Sequence, residues 1–546
     1  MPEHVLIDTL REYSNNNKRN TENNDNDNAI LNDSEVLSQI IFDALDYAAF
    51  SGLLTRQTEK FRDGTNKHLQ VAPLTLLPVE FDKKKYLQAY HLQAIVNKMV
   101  SKFSEVSDEK FEATVVKESL KNLNNCDAFI NKLINVYTEV KECNFEDYGS
   151  FGVLRTDFML DAKSDQLCLV EINTMASGLA SHGSDHKIGD FHRFTEDLIR
   201  TRLGVEDSGT PTEAYPKNDM LDSVVRAFQT AYELYPVTDK KPAILFIVEE
   251  KTWNAFDQRG HDFAIRKKLP GVDILRFSLP ELERKNMLSI DEKGHLWVKI
   301  GEKLTIEIAL IYFRSGYDPS HFPENTGWKS RLLIEQSRAI KCPNMKTQLL
   351  TFKKIQFDLH QNESIFDGIT DLTSAEKSCF METKVEQHIL TKTTAKNVLF
   401  GGESGTRNLE EFVLKPMTEG GSRLHSGTDI EKHLLDETNP EAEKRSGVEY
   451  LLMKKIETKP TCNYLITGNP ETDRISVETS QELGIWGVYV VDGERKTVFQ
   501  ETSGYIMRSK YITFHYHIFN PFLPFCLGFA KFAIFFSDFH LIMPGL

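Results

Sequence analysis

The sequence predicts an α/β (α+β) protein built from more than one lobe, and three observations carry that prediction. Residues 220–345 alternate between helical spacing and short buried-type strands. Apolar runs at 411–415, 449–456 and 486–492 read as strands of a mostly antiparallel lobe that could clasp a nucleotide. The length, 546 residues, exceeds what one ordinary core accommodates.

Residues 1–33 form an Asn-rich leader whose polar stretch 14–28 buries too little apolar surface to order itself. From Ser34 the apolar spacing becomes helical through Val36, Leu37, Ile40, Ile41, Ala44, Leu45 and Ala48, and 84–141 is largely helical too. Residues 34–220 are a helical part leading into the first strands, around Val153-Leu154 and Cys168–Ile172 on either side of a turn at Asp161–Asp165. A helix follows near Asp190–Thr201, then a Gly/Pro/Ser linker at 205–219. Within a substrate lobe at 221–346, a helix is expected over Asp222–Tyr235 and strands over Ala243–Val248, Val272–Phe277 and Ile306–Phe313. Residues 347–510 hold the nucleotide-clasping strands, preceded by a helix over Thr347–His360. The tail 511–546 carries nine phenylalanines and one acid, Asp538. Its stretch 518–536 is apolar enough to suggest a membrane helix, against which Pro521, Pro524 and Lys531 argue; the alternatives are a packed terminal element or a C-terminus unrelated to the domain before it.

A formal net charge of −15 argues against nucleic-acid binding. Seven scattered cysteines without CxxC spacing read as reduced thiols of a cytoplasmic protein, with Cys168 taken as packing. Met1-Pro-Glu-His lacks the basic and apolar parts of a signal peptide.

The run Val413-Leu-Lys415-Pro-Met-Thr-Glu419-Gly420-Gly421-Ser422 delivers a lysine, a carboxylate and a glycine pair from an apolar strand. Phosphate and Mg²⁺ chemistry needs such parts: backbone N–H groups that approach closely, a point charge and a hard oxygen. Alone, the run is a turn after a strand. In Glu171-Ile-Asn173, side-chain alternation puts two oxygen-bearing residues on one face; alone, it is a polar strand edge. Arg155-Thr-Asp157 offers either a carboxylate clamp or a surface ion pair. Arg314 and Tyr317, beyond a strand, suit an anionic substrate, and Asn254 and Gln258 offer neutral hydrogen bonds or a polar helix start. Lys353, the strand containing Met453 to Ile456, Glu482, Arg508 and Lys510 complete the set.

Together these segments resemble eukaryotic glutathione synthetase, a family of ATP-grasp ligases. The resemblance rests on Arg-Thr-Asp (155–157), Glu-Ile-Asn-Thr (171–174), Phe-Asp-Gln-Arg (256–259), Tyr-Phe-Arg-Ser-Gly-Tyr (312–317) and Ala-Ile-Lys-Cys-Pro (339–343). It continues through Thr-Gln-Leu (347–349), Lys-Pro-x-x-Glu-Gly-Gly (415–421), Glu-Leu-Gly-Ile-Trp-Gly (482–487) and Met-Arg-Ser-Lys (507–510), in family order. It implies an ATP-grasp core with an inserted α/β substrate-binding lobe and an antiparallel lid. It implies two Mg²⁺ ions held by Glu171, Asn173 and Glu419. It places ATP against Glu171, Lys353, Lys415, Glu419, Gly420, Gly421, Met453, Lys454, Lys455, Ile456, Glu482 and Lys510. Arg155, Ser177, Asn254, Gln258, Arg314, Tyr317 and Arg508 would contact γ-glutamylcysteine or glycine, Arg155 and Arg508 acting in catalysis. A cytoplasmic homodimer is implied as well.

Three departures from the family pattern bear on activity. The serine-rich loop after Glu-Ile-Asn-Thr is shortened to Met175-Ala-Ser177-Gly-Leu-Ala-Ser181. The glycine triplet ends in Ser422. The glycine- and alanine-rich closing loop is replaced by the Phe-rich tail. The last departure motivates an alternative reading, a catalytically impaired homologue that still binds ATP and dimerises.

Overall fold

The protein is described by a computed structural model. It describes residues 34–56, 69–120, 127–142, 145, 147–203, 215–236, 241–361, 366–390, 409–417, 425–426, 430, 450–468, 476–511, 526–528 and 530–532.

A mixed sheet of 13 strands organises these residues. Its central strand, Gly149–Leu160, pairs antiparallel with Ser476–Asp492 on one side and with Leu167–Asn173 along part of the other. Ser476–Asp492 in turn pairs with Thr497–Tyr511. The short strand Ile340–Cys342 lies parallel to Gly149–Leu160 and joins it to Leu304–Phe313, Ala243–Ile247 and Ile274–Phe277, all parallel. The lobe expected at 221–346 therefore continues the same sheet.

Both faces of this sheet are covered, as the alternation of the strands requires. Along the central strand Leu154 and Phe158 enter one core while Phe151 and Val153 enter the other; Tyr489 and Val491 likewise oppose Val488 and Val490. Helix Lys83–Glu105 packs on the first face through Tyr86, Ala89, Leu92, Val96, Met99 and Phe103, an i, i+3, i+4 stripe. Its start is fixed by Asp82, whose side chain accepts the Lys85 N–H at 2.9 Å. Helix Met220–Leu234 covers the second face with Met220, Val224, Ala227, Phe228 and Ala231.

A separate antiparallel sheet orders Gln387–Leu390, Tyr450–Lys454, Phe412–Pro416 and His425–Ser426. Two of the expected lid strands are there. The third, 486–492, is not: it is the end of the long strand Ser476–Asp492 in the main sheet. Its nearly unbroken apolar run suits a strand buried on both faces, and such a run does not choose the partner.

The helix expected over Thr347–His360 is two helices, Met345–Leu349 and Lys353–Gln361. The Lys353 N–H bonds to the Met417 carbonyl (3.3 Å) beyond strand Phe412–Pro416, which interrupts the helical ladder.

In the tail, Cys526–Gly528 pairs antiparallel with Met507–Ser509, and Ala530–Phe532 lies parallel to Val79–Phe81. The stretch compared above with a membrane helix thus contains two short strands, and no described helix is long and apolar enough to cross a membrane.

Candidate active site

Four neighbouring strands bring the polar residues to one face. Register sets Asn173 opposite Arg155, Glu171 opposite Asp157, Asp157 opposite Gly484, and Glu482 opposite Arg508; Ser480 faces Lys510. Directly opposed residues share a face. Along the central strand that face reads Phe151, Val153, Arg155, Asp157, so its apolar half ends where the charged half begins.

Arg155 binds Asp157 through two parallel hydrogen bonds, Nε to Oδ1 at 2.7 Å and Nη2 to Oδ2 at 2.9 Å. The pair is buried, not a surface pair, with side-chain exposures of 7% and 0%. Arg508 Nη2 also reaches Asp157 Oδ2, at 2.5 Å, and bonds to Glu482; Lys510 Nζ donates to the other Glu482 oxygen at 2.5 Å. The Asn173 amide nitrogen donates to Asp157 Oδ2 at 2.8 Å, which leaves the amide oxygen as the atom a cation would use. Burial opposes charge on Asp157, but Arg155 and Arg508 outweigh it and hold the carboxyl well below its ordinary value. Gly484 makes room for this network. A Cβ there would lie 2.8 Å from both Arg155 Cδ and Asp157 Oδ1.

Glu171 faces the same cations. Burial raises its carboxyl, yet Lys353, Lys415 and Arg508 more than offset this and keep it below its ordinary value. Gln356 fixes its strand edge by exchanging hydrogen bonds of 2.9 Å with the Ile172 N–H and carbonyl, as a neighbouring strand would. Lys353 and Lys415 are themselves buried. The Lys415 ammonium is pushed down to about 8, by burial first and by the repulsion of Lys353 and Lys510, against the attraction of Glu171. Lys510 is pushed down to about 8, by burial first and then by Arg508.

Beside this charged face, Cys168, Val385 and Met453 form a small apolar cluster with Val413 and Ile456 against it. The backbone N–H groups of Lys454 and Lys455 are taken by the carbonyls of Glu386 (2.9 Å) and Glu411 (2.7 Å). Burial raises the Cys168 thiol to about 11, so it packs as a neutral group. Glu419, Gly420 and Gly421 lie outside the described residues. Among the described ones no cluster of three His, Cys, Asp or Glu side chains is arranged to hold a metal.

A second group lies beyond the ends of the parallel strands, where ligand crevices of such sheets occur. Arg314 follows Leu304–Phe313 and donates to the Ser177 carbonyl (2.5 Å) and the Tyr312 hydroxyl (3.2 Å). Tyr317 donates to Glu249 at 3.2 Å. Asn254 accepts from Gln258 at 2.9 Å, and Gln258 accepts from Arg276 at 2.6 Å. Gly178 is the link: a Cβ there would be 3.5 Å from Arg314 Nη2 and 3.7 Å from Asn254 Nδ2, and its carbonyl accepts from Arg155 Nη1 at 3.1 Å. Ser177 Oγ itself donates inward, to the Asn173 carbonyl at 3.2 Å. Glu249 and Asp257 also belong to this group; in the sequence they are marked only by their place at the end of a buried strand and inside the Phe-Asp-Gln-Arg run.

Residues 34–515 match the family model for the eukaryotic glutathione synthase ATP-binding domain. The chain belongs to the eukaryotic glutathione synthase family. It is 28% identical to the glutathione synthetase of Xenopus laevis over 491 residues, covering 88% of this chain and 94% of that one. It is 27% identical to the human glutathione synthetase over 500 residues (89% and 94%), and 28% identical to the chloroplastic glutathione synthetase of Solanum lycopersicum over 496 residues (88% and 81%). In structure it is similar to a glutathione synthetase-like effector from Globodera pallida solved in its apo form. That similarity has a TM-score of 0.65 at 17% identity and covers 92% of this chain and 98% of that one. The fold class expected of the glutathione synthase family, an ATP-grasp-type α/β architecture, is the one observed.

Proposed function

We propose that the protein joins γ-glutamylcysteine to glycine at the expense of ATP, releasing glutathione, ADP and phosphate. The observation that carries this reading is the convergence of Glu171, Asp157 and Glu482 with Lys353, Lys415, Arg155, Arg508 and Lys510, in a member of a glutathione synthase family.

A carboxylate resists attack by an amine because it is anionic and lacks a leaving group. Transfer of the γ-phosphoryl group of ATP to the cysteinyl carboxylate would give an acyl phosphate, which the glycine amine attacks before phosphate leaves. Such transfer rests on positioning and charge neutralisation. Lys353, Lys415 and Lys510 would bind the phosphates. Arg155 and Arg508, already poised by Asp157, would hold the acyl phosphate and the tetrahedral oxygens. Arg314, Tyr317, Asn254 and Gln258 would orient the dipeptide, and the cluster of Cys168, Met453 and Ile456 would wall the adenine. Glu171 and the Asn173 oxygen, two hard donors on one strand face, fit Mg²⁺, which when bound would neutralise phosphate charge; Glu419 is the third expected ligand. A homodimer is part of this proposal.

ADP release measured with γ-glutamylcysteine, glycine and Mg²⁺ omitted in turn tests the reading; turnover indifferent to γ-glutamylcysteine overturns it. Competition with β-alanine reports the choice of amine. A second reading, a homologue that binds ATP without ligation, is motivated by the Phe-rich sequence that stands where the family has its closing loop. Calorimetric ATP binding beside zero tripeptide would establish it.

A further inference from the structure

Asp257 lies in the first turn of helix Ala255–Lys268 and is completely buried. Its carboxylate serves another part of the chain: Oδ2 accepts the Leu179 N–H at 2.8 Å, and Oδ1 accepts those of Ser181 and His182 at 3.0 Å each. Neither adjacent imidazole competes for it. His182 Nδ1 stands 3.9 Å from Oδ1 without a hydrogen bond, and the two ring nitrogens of buried His261 have no partner among the described residues. Asp257 therefore lacks the geometry of a carboxylate–histidine dyad, and its hydrogen bonds go to backbone N–H groups.

The segment it holds needs holding. Ala176 and Leu179 have φ of 52° and 83°, a region that disfavours side chains. Between them the consecutive carbonyls of Ser177 and Gly178 accept from Arg314 and Arg155, one arginine each. Helix and segment can meet this closely because residue 260 is glycine; a Cβ there would fall 1.8 Å from Ser181 Oγ.

We propose that Asp257 is a positioning residue, which by fixing 177–182 aims Arg314 and Arg155 and so sets the affinity for the dipeptide substrate. The inference rests on the function proposed above. ATP should be indifferent to it, because Asp257 has no described hydrogen bond to Lys353, Lys415 or Lys510.

Asp257→Asn in the full chain tests this by hydrogen exchange and by substrate kinetics. Exchange at Leu179, Ser181 and His182 should accelerate about tenfold or more, and KM for γ-glutamylcysteine should rise by a similar factor. KM for ATP should stay within about twofold. Gly260→Ala, which crowds Ser181 and keeps the carboxylate, should split the two constants in the same way, and His261→Asn should not. Unchanged exchange in a folded Asp257→Asn protein, or an equal rise in both constants, overturns the proposal. If Asp257→Asn does not fold, Gly260→Ala decides. If the parent chain makes no tripeptide, the proposed function fails, while the exchange rates still decide whether Asp257 holds the segment.

Discussion

Arg508 reaches Asp157 across an intervening strand: the two are 2.5 Å apart although strand Ser476–Asp492 lies between theirs. The contact exists because the intervening residue opposite Asp157 is Gly484. Two guanidiniums and one carboxylate thus share a buried site, with Glu482 as the second acid.

Removing the shared acid strands its partners. Asp157→Ala removes the buried carboxylate that Arg155 and Arg508 share. The loss should be about 3–5 kcal/mol of stability, read from urea unfolding, with ligation falling below detection. A loss under about 1 kcal/mol would mean that water, not Asp157, compensates these arginines.

Gly484→Ala adds one methyl where no space exists, 2.8 Å from Arg155 and Asp157. Overpacking of this kind costs about 1–3 kcal/mol. Because it displaces the arginine pair, kcat should fall more than melting temperature suggests. A variant that melts lower but turns over normally would place the pair outside the chemistry.

Lys415 and Lys510 titrate near 8 in the free protein, below the ordinary 10.5. Above that pH they have shed their protons, and arriving phosphates would draw protons back. ATP binding at a pH of about 8.5 should therefore take up protons, whereas binding at about 6.5 should take up none through these lysines. Calorimetry in two buffers of different ionisation enthalpy measures the uptake, and ATP affinity should weaken as pH climbs through 8. Zero uptake at the higher pH would show that neither lysine meets the phosphates.

His192, His261 and His360 are pushed down to about 4, in each case chiefly by burial. Above 6.5 both folded and unfolded chains hold them neutral. Below it the unfolded chain gains protons that the folded chain refuses until about pH 4. Each therefore costs up to about 1.4 kcal/mol per pH unit across that window. Unfolding midpoints at successive pH values should fall steeply from pH 6.5 to 4, and replacing His360, stacked on Phe380 at 4.5 Å, should flatten the slope by about one proton. A stability flat across that range would contradict the burial of these rings.

Much of the architecture was legible because periodicity reports which faces are buried. The helices at 34–50 and 220–234 and the strand ending at Phe313 follow directly from it. The family was legible because its short motifs recur in order. Pairing was not legible: the apolar run at 486–492 says strand, and only the fold says that its neighbour is Gly149–Leu160. The break before Lys353 was hidden for the same reason, since its cause is a carbonyl at Met417. Asp257 sits between Asn254 and Gln258, both singled out, yet nothing local reveals that it bonds the backbone some 75 residues earlier.

The order of synthesis adds a burden. Asp157 leaves the ribosome long before Arg508, which follows 351 residues later, and the strand that flanks Gly149–Leu160 is among the last described segments to be made. During translation an apolar central strand, its acid holding only Arg155 of the two arginines it will bind, must wait with an open edge. Contacts of such separation slow folding and leave edges exposed to wrong partners. Production in a heterologous host should therefore respond to chaperone supply and to lowered growth temperature more than to changes at the protein surface.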